Sequence, residues 1–110
     1  MKIWKRSVAF VENIYGTTKG FPKDELYGLT SQLRKAAVSI PSNIAEGFNR
    51  FHNKEYKQFL YISLGSCAEV TTQLIIASKL NYVKKEQSKI LLNEIDEISK
   101  ITMGLIKKLN

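Results

Sequence analysis

Seven positions between residues 56 and 77 constrain this chain most. Tyr56, Leu60, Ser63, Cys67, Val70, Leu74 and Ala77 recur at steps of 4, 3, 4, 3, 4 and 3, the repeat of a helix that buries one seam against neighbours. A helix from about Lys54 to Lys79 follows, and its seam needs partners. Three further helical patterns supply them. Ile3 to Thr18 places Trp4, Val8, Val11 and Tyr15 on one face. Lys23 to Phe48 carries Leu26, Leu29, Leu33, Ala36 or Ala37, Ile40, Ile44 and Phe48. Its stripe stays in phase beyond Pro41, which predicts a kink and not a break. Lys84 to Leu109 carries Leu91, Ile95, Ile98, Thr102, Leu105 and Leu109.

The breaks are short. Gly20 reads as a C-terminal helix stop and Pro22 as a start signal. Asn49 to Asn53 form the next turn, with Asn53 as N-cap, and Asn81-Tyr82 ends the third helix. Four amphipathic helices with short loops predict an all-α, up-down-up-down antiparallel four-helix bundle, with residues 1–110 as a single domain. The third and fourth helices also carry Phe59, Ile62, Ile75, Ile76, Ile90, Leu92, Ile101 and Ile106 off their seams. A lone bundle would leave some of these wet, which points to an oligomer.

Catalytic and metal chemistry find little support. A single cysteine, Cys67, and a single histidine, His52, exclude an internal disulfide and a multi-histidine or Cys-rich metal centre. His52 falls in a turn, and Cys67 lies about four turns along the third helix, roughly 20 Å away. No P-loop or dinucleotide-binding pattern is present, so no cofactor is expected. No secretory signal and no window of about 18 uncharged apolar residues are expected. The reading is a non-enzymatic, cytoplasmic protein without a membrane partner, and Cys67 reads as a small buried residue.

Two glycines inside helices, Gly47 and Gly65, each cost about 1 kcal/mol relative to alanine. That cost suggests a close approach by another backbone or a bend. Glu46 and Arg50, four apart, can pair on the surface. Folding the second and third helices back on each other brings Arg34 level with Glu69, which predicts a partly buried interhelical ion pair, either structural or part of an oligomer contact.

The charge balance is positive: 17 Lys and Arg against 10 Asp and Glu give a formal net charge of +7. In the expected topology Lys2, Lys5, Arg6, Arg50, Lys54, Lys57, Lys107 and Lys108 gather at one end, against Glu46 and Glu55. Trp4, Phe48, Phe51 and Tyr56 lie among them. A basic end with aromatics suits a phosphate backbone and unstacked bases.

Several stretches carry a resemblance: Phe21-Pro22, Glu25, Gly28-Leu29, Gln32-Leu33-Arg34, Ser39-Ile40, Asn43-Ile44-Ala45-Glu46-Gly47, Gly65-Ser66, Glu69 and Thr72-Gln73-Leu74. Over nearly the whole chain they resemble the bacterial four helix bundle proteins. These are also called 23S rRNA-intervening sequence proteins, because some members are encoded inside insertions in the large ribosomal RNA gene. The resemblance implies a homopentamer whose helices form a barrel-like ring. A similar protein, an accessory factor of diversity-generating retroelements, is a basic pentamer that binds reverse transcriptase and nucleic acid. By position, Arg34, Asn43, Glu46, Gly47, Gly65 and Glu69 match the family pattern and are assigned to fold and subunit packing.

The sequence thus predicts a basic homo-oligomer that binds RNA or another nucleic acid through one end. The alternative is an adaptor or scaffold that docks an acidic protein partner, such as an accessory factor to a nucleic-acid enzyme.

Overall fold

The computed structural model describes residues 1–109 and contains, among them, four α-helices and no strand. These are α1 (Lys2–Thr18), α2 (Leu29–Phe48), α3 (Asn53–Lys79) and α4 (Lys85–Lys108), with a 3-10 turn at Lys23–Glu25 before α2. A 27-residue helix is about 40 Å long, and α3 sets the long axis of a body measuring 43 × 24 × 19 Å. α2 packs on α1 and α3, and α4 closes the square against α3 and α1, while the diagonals α1–α3 and α2–α4 do not meet.

The α3 seam falls where its repeat predicts. Leu60, Ser63, Cys67, Val70, Leu74 and Ala77 are buried, with Tyr56 packed at the edge. Ser66 joins them. α3 is also long and apolar enough to cross a membrane by composition, with an 18-residue stretch of mean hydropathy 1.4. This departs from the expectation that no window comes close. In the bundle its seam fills the core while its outer face stays uncovered.

α1 departs further. Its buried face is Ile3, Ser7, Phe10, Ile14 and Thr18, one residue out of phase with the predicted Trp4, Val8, Val11 and Tyr15. The two hydroxyls hide the true stripe in sequence. Ser7 Oγ donates to the Trp4 carbonyl at 2.9 Å and Thr18 Oγ1 to the Ile14 carbonyl at 2.7 Å, so both polar groups enter the core already satisfied. Trp4 and Tyr15 stay about two-fifths exposed. In α4 the last core residue is Ile106 rather than Leu105 or Leu109, because a 3.6-residue turn drifts off a strict heptad.

α2 starts six residues later than its pattern suggests. Lys23–Glu25 form a 3-10 turn, and Glu25 Oε1 accepts a hydrogen bond from the Leu29 backbone N–H at 3.1 Å. The carboxylate thereby caps the helix N-terminus. Tyr82 Oη donates to Glu25 Oε2 at 3.0 Å, and the Tyr82 ring lies 5.6 Å from Phe21. Leu26, placed on the stripe by spacing, is half exposed in the turn. Beyond Leu29, α2 runs unbroken through Pro41. Gly20 does not adopt the left-handed conformation; Lys19 is the C-cap of α1. Asn81 does, at φ 62°, after α3. The Tyr82 N–H reaches the Ala77 carbonyl and the Asn81 N–H the Ser78 carbonyl, at 2.9 and 3.0 Å. That is a Schellman stop with asparagine in the glycine position.

At the opposite end, His52 rather than Asn53 is the N-cap of α3, and it makes no side-chain capping bond. Asn53 instead reaches the Leu109 carbonyl at 3.4 Å. At Gly47, α2 and α3 approach closely. A Cβ there would lie 2.8 Å from Tyr56 Cδ1, 2.9 Å from Phe59 Cβ and 3.1 Å from the Tyr56 carbonyl oxygen. Alanine gains about 1 kcal/mol of helix propensity over glycine, but overpacking typically costs about 1–3 kcal/mol. Two of the obstacles belong to or adjoin backbone, so the helices must part. Gly47→Ala is therefore expected to destabilise the fold by about 1 kcal/mol in urea unfolding. A gain in stability would show that the contact is looser than described.

Candidate nucleic-acid interface

The antiparallel topology brings the start of α1, the α2–α3 turn and the end of α4 to one end. There lie Lys2, Lys5, Arg6, Arg50, Lys54, Lys57, Lys107 and Lys108, against Glu46 and Glu55. The side chains divide these eight cations into two sets. Arg6 is occupied: its Nε and Nη2 grip the two carboxylate oxygens of Glu94 at 2.8 and 3.0 Å. That hydrogen bond, and then the carboxylate charge, hold the guanidinium pKa above its usual value. Arg50 pairs with Glu46 at 3.3 Å and stacks over the Phe59 ring at 4.8 Å. Topology groups both arginines with the phosphate-binding set; within the protomer each also has a carboxylate partner, part-buried for Arg6 and exposed for Arg50. Lys2, Lys5, Lys54, Lys107 and Lys108 are exposed, and none makes an ion pair or side-chain hydrogen bond with a described residue. Lys57 is half-buried beside them.

The aromatics at this end also differ in use. Tyr56 packs on the core and meets Phe48 edge-on at 6.2 Å; burial pushes its phenol pKa upward. Phe48 is 59% exposed and Phe51, in the turn, 99%. An apolar groove of about 500 Å³ opens between Phe48, Tyr56 and α4, lined also by Ile3 and Leu105, with Lys2 and Lys108 at its rim.

The residues singled out by motif occupy other places. Arg34 does not pair with Glu69 within the protomer. Its Nε donates to Thr18 Oγ1 at 2.8 Å, and its guanidinium lies 4.6 Å over Tyr15, so it turns toward α1 and not α3. Being level along the axis left the direction around the helix undetermined. Asn43 Nδ2 donates to the Ser39 carbonyl and hydroxyl at 2.8 and 2.9 Å, and Ser66 Oγ meets Ser39 Oγ at 2.8 Å. This polar chain staples α2 to α3 two turns before Gly47. Gly65 has open space around it and faces outward, so within the protomer it serves no close approach. Glu69 is exposed at the edge of a groove it shares with Gln32, Lys35, Ser39, Ser66 and Gln73. Cys67 is buried, and desolvation pushes its thiol pKa upward, which suppresses the reactive thiolate. Among the described residues, no three His, Cys, Asp or Glu side chains gather in a way that could hold a metal ion.

The structure leaves two apolar faces uncovered, one of which the sequence reading missed. One runs along α1 and α2 through Trp4, Tyr15, Val38 and Phe48; the other follows the outside of α3 through Tyr61, Ile62, Ile75 and Ile76. The α3 face was half legible as off-seam isoleucines. The α1 face was legible only as a core stripe.

No curated protein matches the chain. Among solved structures, the fold resembles a crystal structure, at 1.70 Å, of a protein with unknown function from the S23 ribosomal protein family of Bacteroides thetaiotaomicron VPI-5482. The TM-score is 0.89 with 23% identity, covering 96% of this chain and 98% of that one. The motif run from Phe21 to Leu74 lies within a match over residues 1–104 to the family model described as 23S rRNA-intervening sequence protein, and the chain belongs to that family.

Proposed function

We propose that this protein is a homo-oligomeric ring that binds RNA, or another nucleic acid, through its basic end, acting by binding and not by catalysis. The observation that carries the reading is the cluster of five exposed lysines without partners among the described residues, Lys2, Lys5, Lys54, Lys107 and Lys108, around exposed aromatic rings. Lysines that build no structure remain available to phosphate, and such contacts release counterions. They position a strand without reading its sequence.

The two apolar faces support the ring. α1 and α3 stand at diagonal corners, so the faces point in different directions and are unlike each other. Self-association through one shared patch gives a twofold dimer, whereas joining two unlike patches head to tail gives a closed ring or a filament. Five copies are what the family resemblance implies. A ring would present the basic end repeatedly, so weak contacts would add up as avidity.

Size-exclusion chromatography with light scattering, recording 260 and 280 nm absorbance on protein from a low-salt lysate, tests this reading. The expected result is an oligomer whose 260 nm absorbance disappears with nuclease. An oligomer free of nucleic acid would favour the adaptor with an acidic partner, and a clean monomer would contradict the ring.

A further inference from the structure

We infer that the basic end selects single-stranded over duplex nucleic acid, with Phe51 as a stacking platform for an unpaired base. The inference rests on the nucleic-acid reading above and adds the form of the ligand.

Phe51 is 99% exposed in the four-residue turn between α2 and α3. It makes no ring contact with another aromatic among the described residues, and it contributes nothing to the core. A bundle gains nothing by holding a phenyl ring in water. Arg50, paired with Glu46, and Lys54, in the first turn of α3, flank it in sequence, so whatever covers the ring must also tolerate a net basic end. That excludes a cationic or purely apolar occupant and favours one that carries anionic groups next to flat apolar faces.

Nucleic acid has that composition, but only one of its forms offers both parts. In a duplex the phosphates face outward while the base faces are stacked inside, so a duplex can meet the lysines and has nothing to lay on Phe51. An unpaired strand presents phosphates and base faces together, and aromatic side chains take bases with little regard to sequence. The apolar groove of about 500 Å³ beside Phe48, rimmed by Lys2 and Lys108, repeats the pattern at the same end. Its floor is hydrocarbon and aromatic edge, which suits an extruded base and offers a duplex backbone no hydrogen bonds.

The test is fluorescence anisotropy with a labelled single-stranded RNA of about 16 nucleotides, and with the same strand annealed to its complement, at equal salt. The single strand should bind at least about tenfold more tightly than the duplex. Phe51→Ala should weaken single-strand binding about tenfold and leave duplex binding unchanged, while Phe51→Tyr keeps most of the wild-type affinity. The bundle does not use this ring, so both variants should keep the wild-type circular dichroism spectrum and melting temperature. Equal affinity for both forms, with no effect of Phe51→Ala, would overturn the inference and leave nucleic-acid binding standing. No binding of either form would overturn the reading beneath it. Binding to phosphatidylglycerol vesicles without binding to RNA would overturn both.

Discussion

Phe10→Ala should cost about 3–5 kcal/mol of unfolding free energy, the range for truncating a fully buried aromatic. Phe10 is 1% exposed, in a core shared with Ile14, Leu33, Ile40, Leu74 and Ile95. For a domain of about this size, each kcal/mol lowers the melting temperature by roughly 4 °C or more, so the transition should fall by well over 10 °C. Trp4→Ala, although it removes a larger ring, should cost less, about 1–3 kcal/mol in a dilute protomer, because about two-fifths of the residue is already in water. In an assembled sample Trp4→Ala should instead make the melting temperature depend more steeply on protein concentration. The reverse ranking would mean that α1 is rotated and that the sequence-derived stripe is the true core face.

That contrast shows what could be read from residues alone. The α3 seam was legible because its buried positions carry mostly apolar side chains at a steady heptad spacing. The buried face of α1 was not, because Ser7 and Thr18 satisfy their hydroxyls on their own helix while the neighbouring stripe carries Trp4 and Tyr15. The same argument covers α2. Its pattern runs smoothly back to Lys23, and only the fold shows Glu25 turned to cap Leu29. Gathering of charge at one end followed from topology, which needs no side-chain directions. Pairing did not: Arg6 finds Glu94 from 88 residues away, and Arg34 turns to Thr18 instead of Glu69. Spacing along a helix fixes height well, and the angle around it only within a residue or so.

A second large effect is expected on the outer face of α3. Ile62 and Ile76 are 52% and 42% exposed, and their stretch of helix carries Glu69 as its one charged residue between Lys57 and Lys79. A carboxylate buried there against a neighbouring subunit would lose its hydration without a partner. Ile62→Glu combined with Ile76→Glu should weaken subunit association by at least about a hundredfold, which is about 3 kcal/mol. The protomer should keep its helix content, since neither side chain belongs to the core. Sedimentation velocity with circular dichroism separates the outcomes. A folded species of protomer mass is the expected result, and an unchanged assembly would remove the α3 face from the interface.

The basic end is the centre of the account, and the salt dependence of RNA binding tests it most directly. Association with a labelled single strand should be measured from about 50 to 200 mM salt, for the wild type and for a variant with Lys2, Lys5, Lys54, Lys107 and Lys108 all changed to Gln. The account predicts a steep linear fall of log K with log salt for the wild type, near 0.7 per phosphate neutralised. For the variant it predicts a much shallower slope and a loss of at least about tenfold in affinity at the lowest salt. Equal slopes and equal affinities, or no RNA binding by the wild type at low salt, would contradict it.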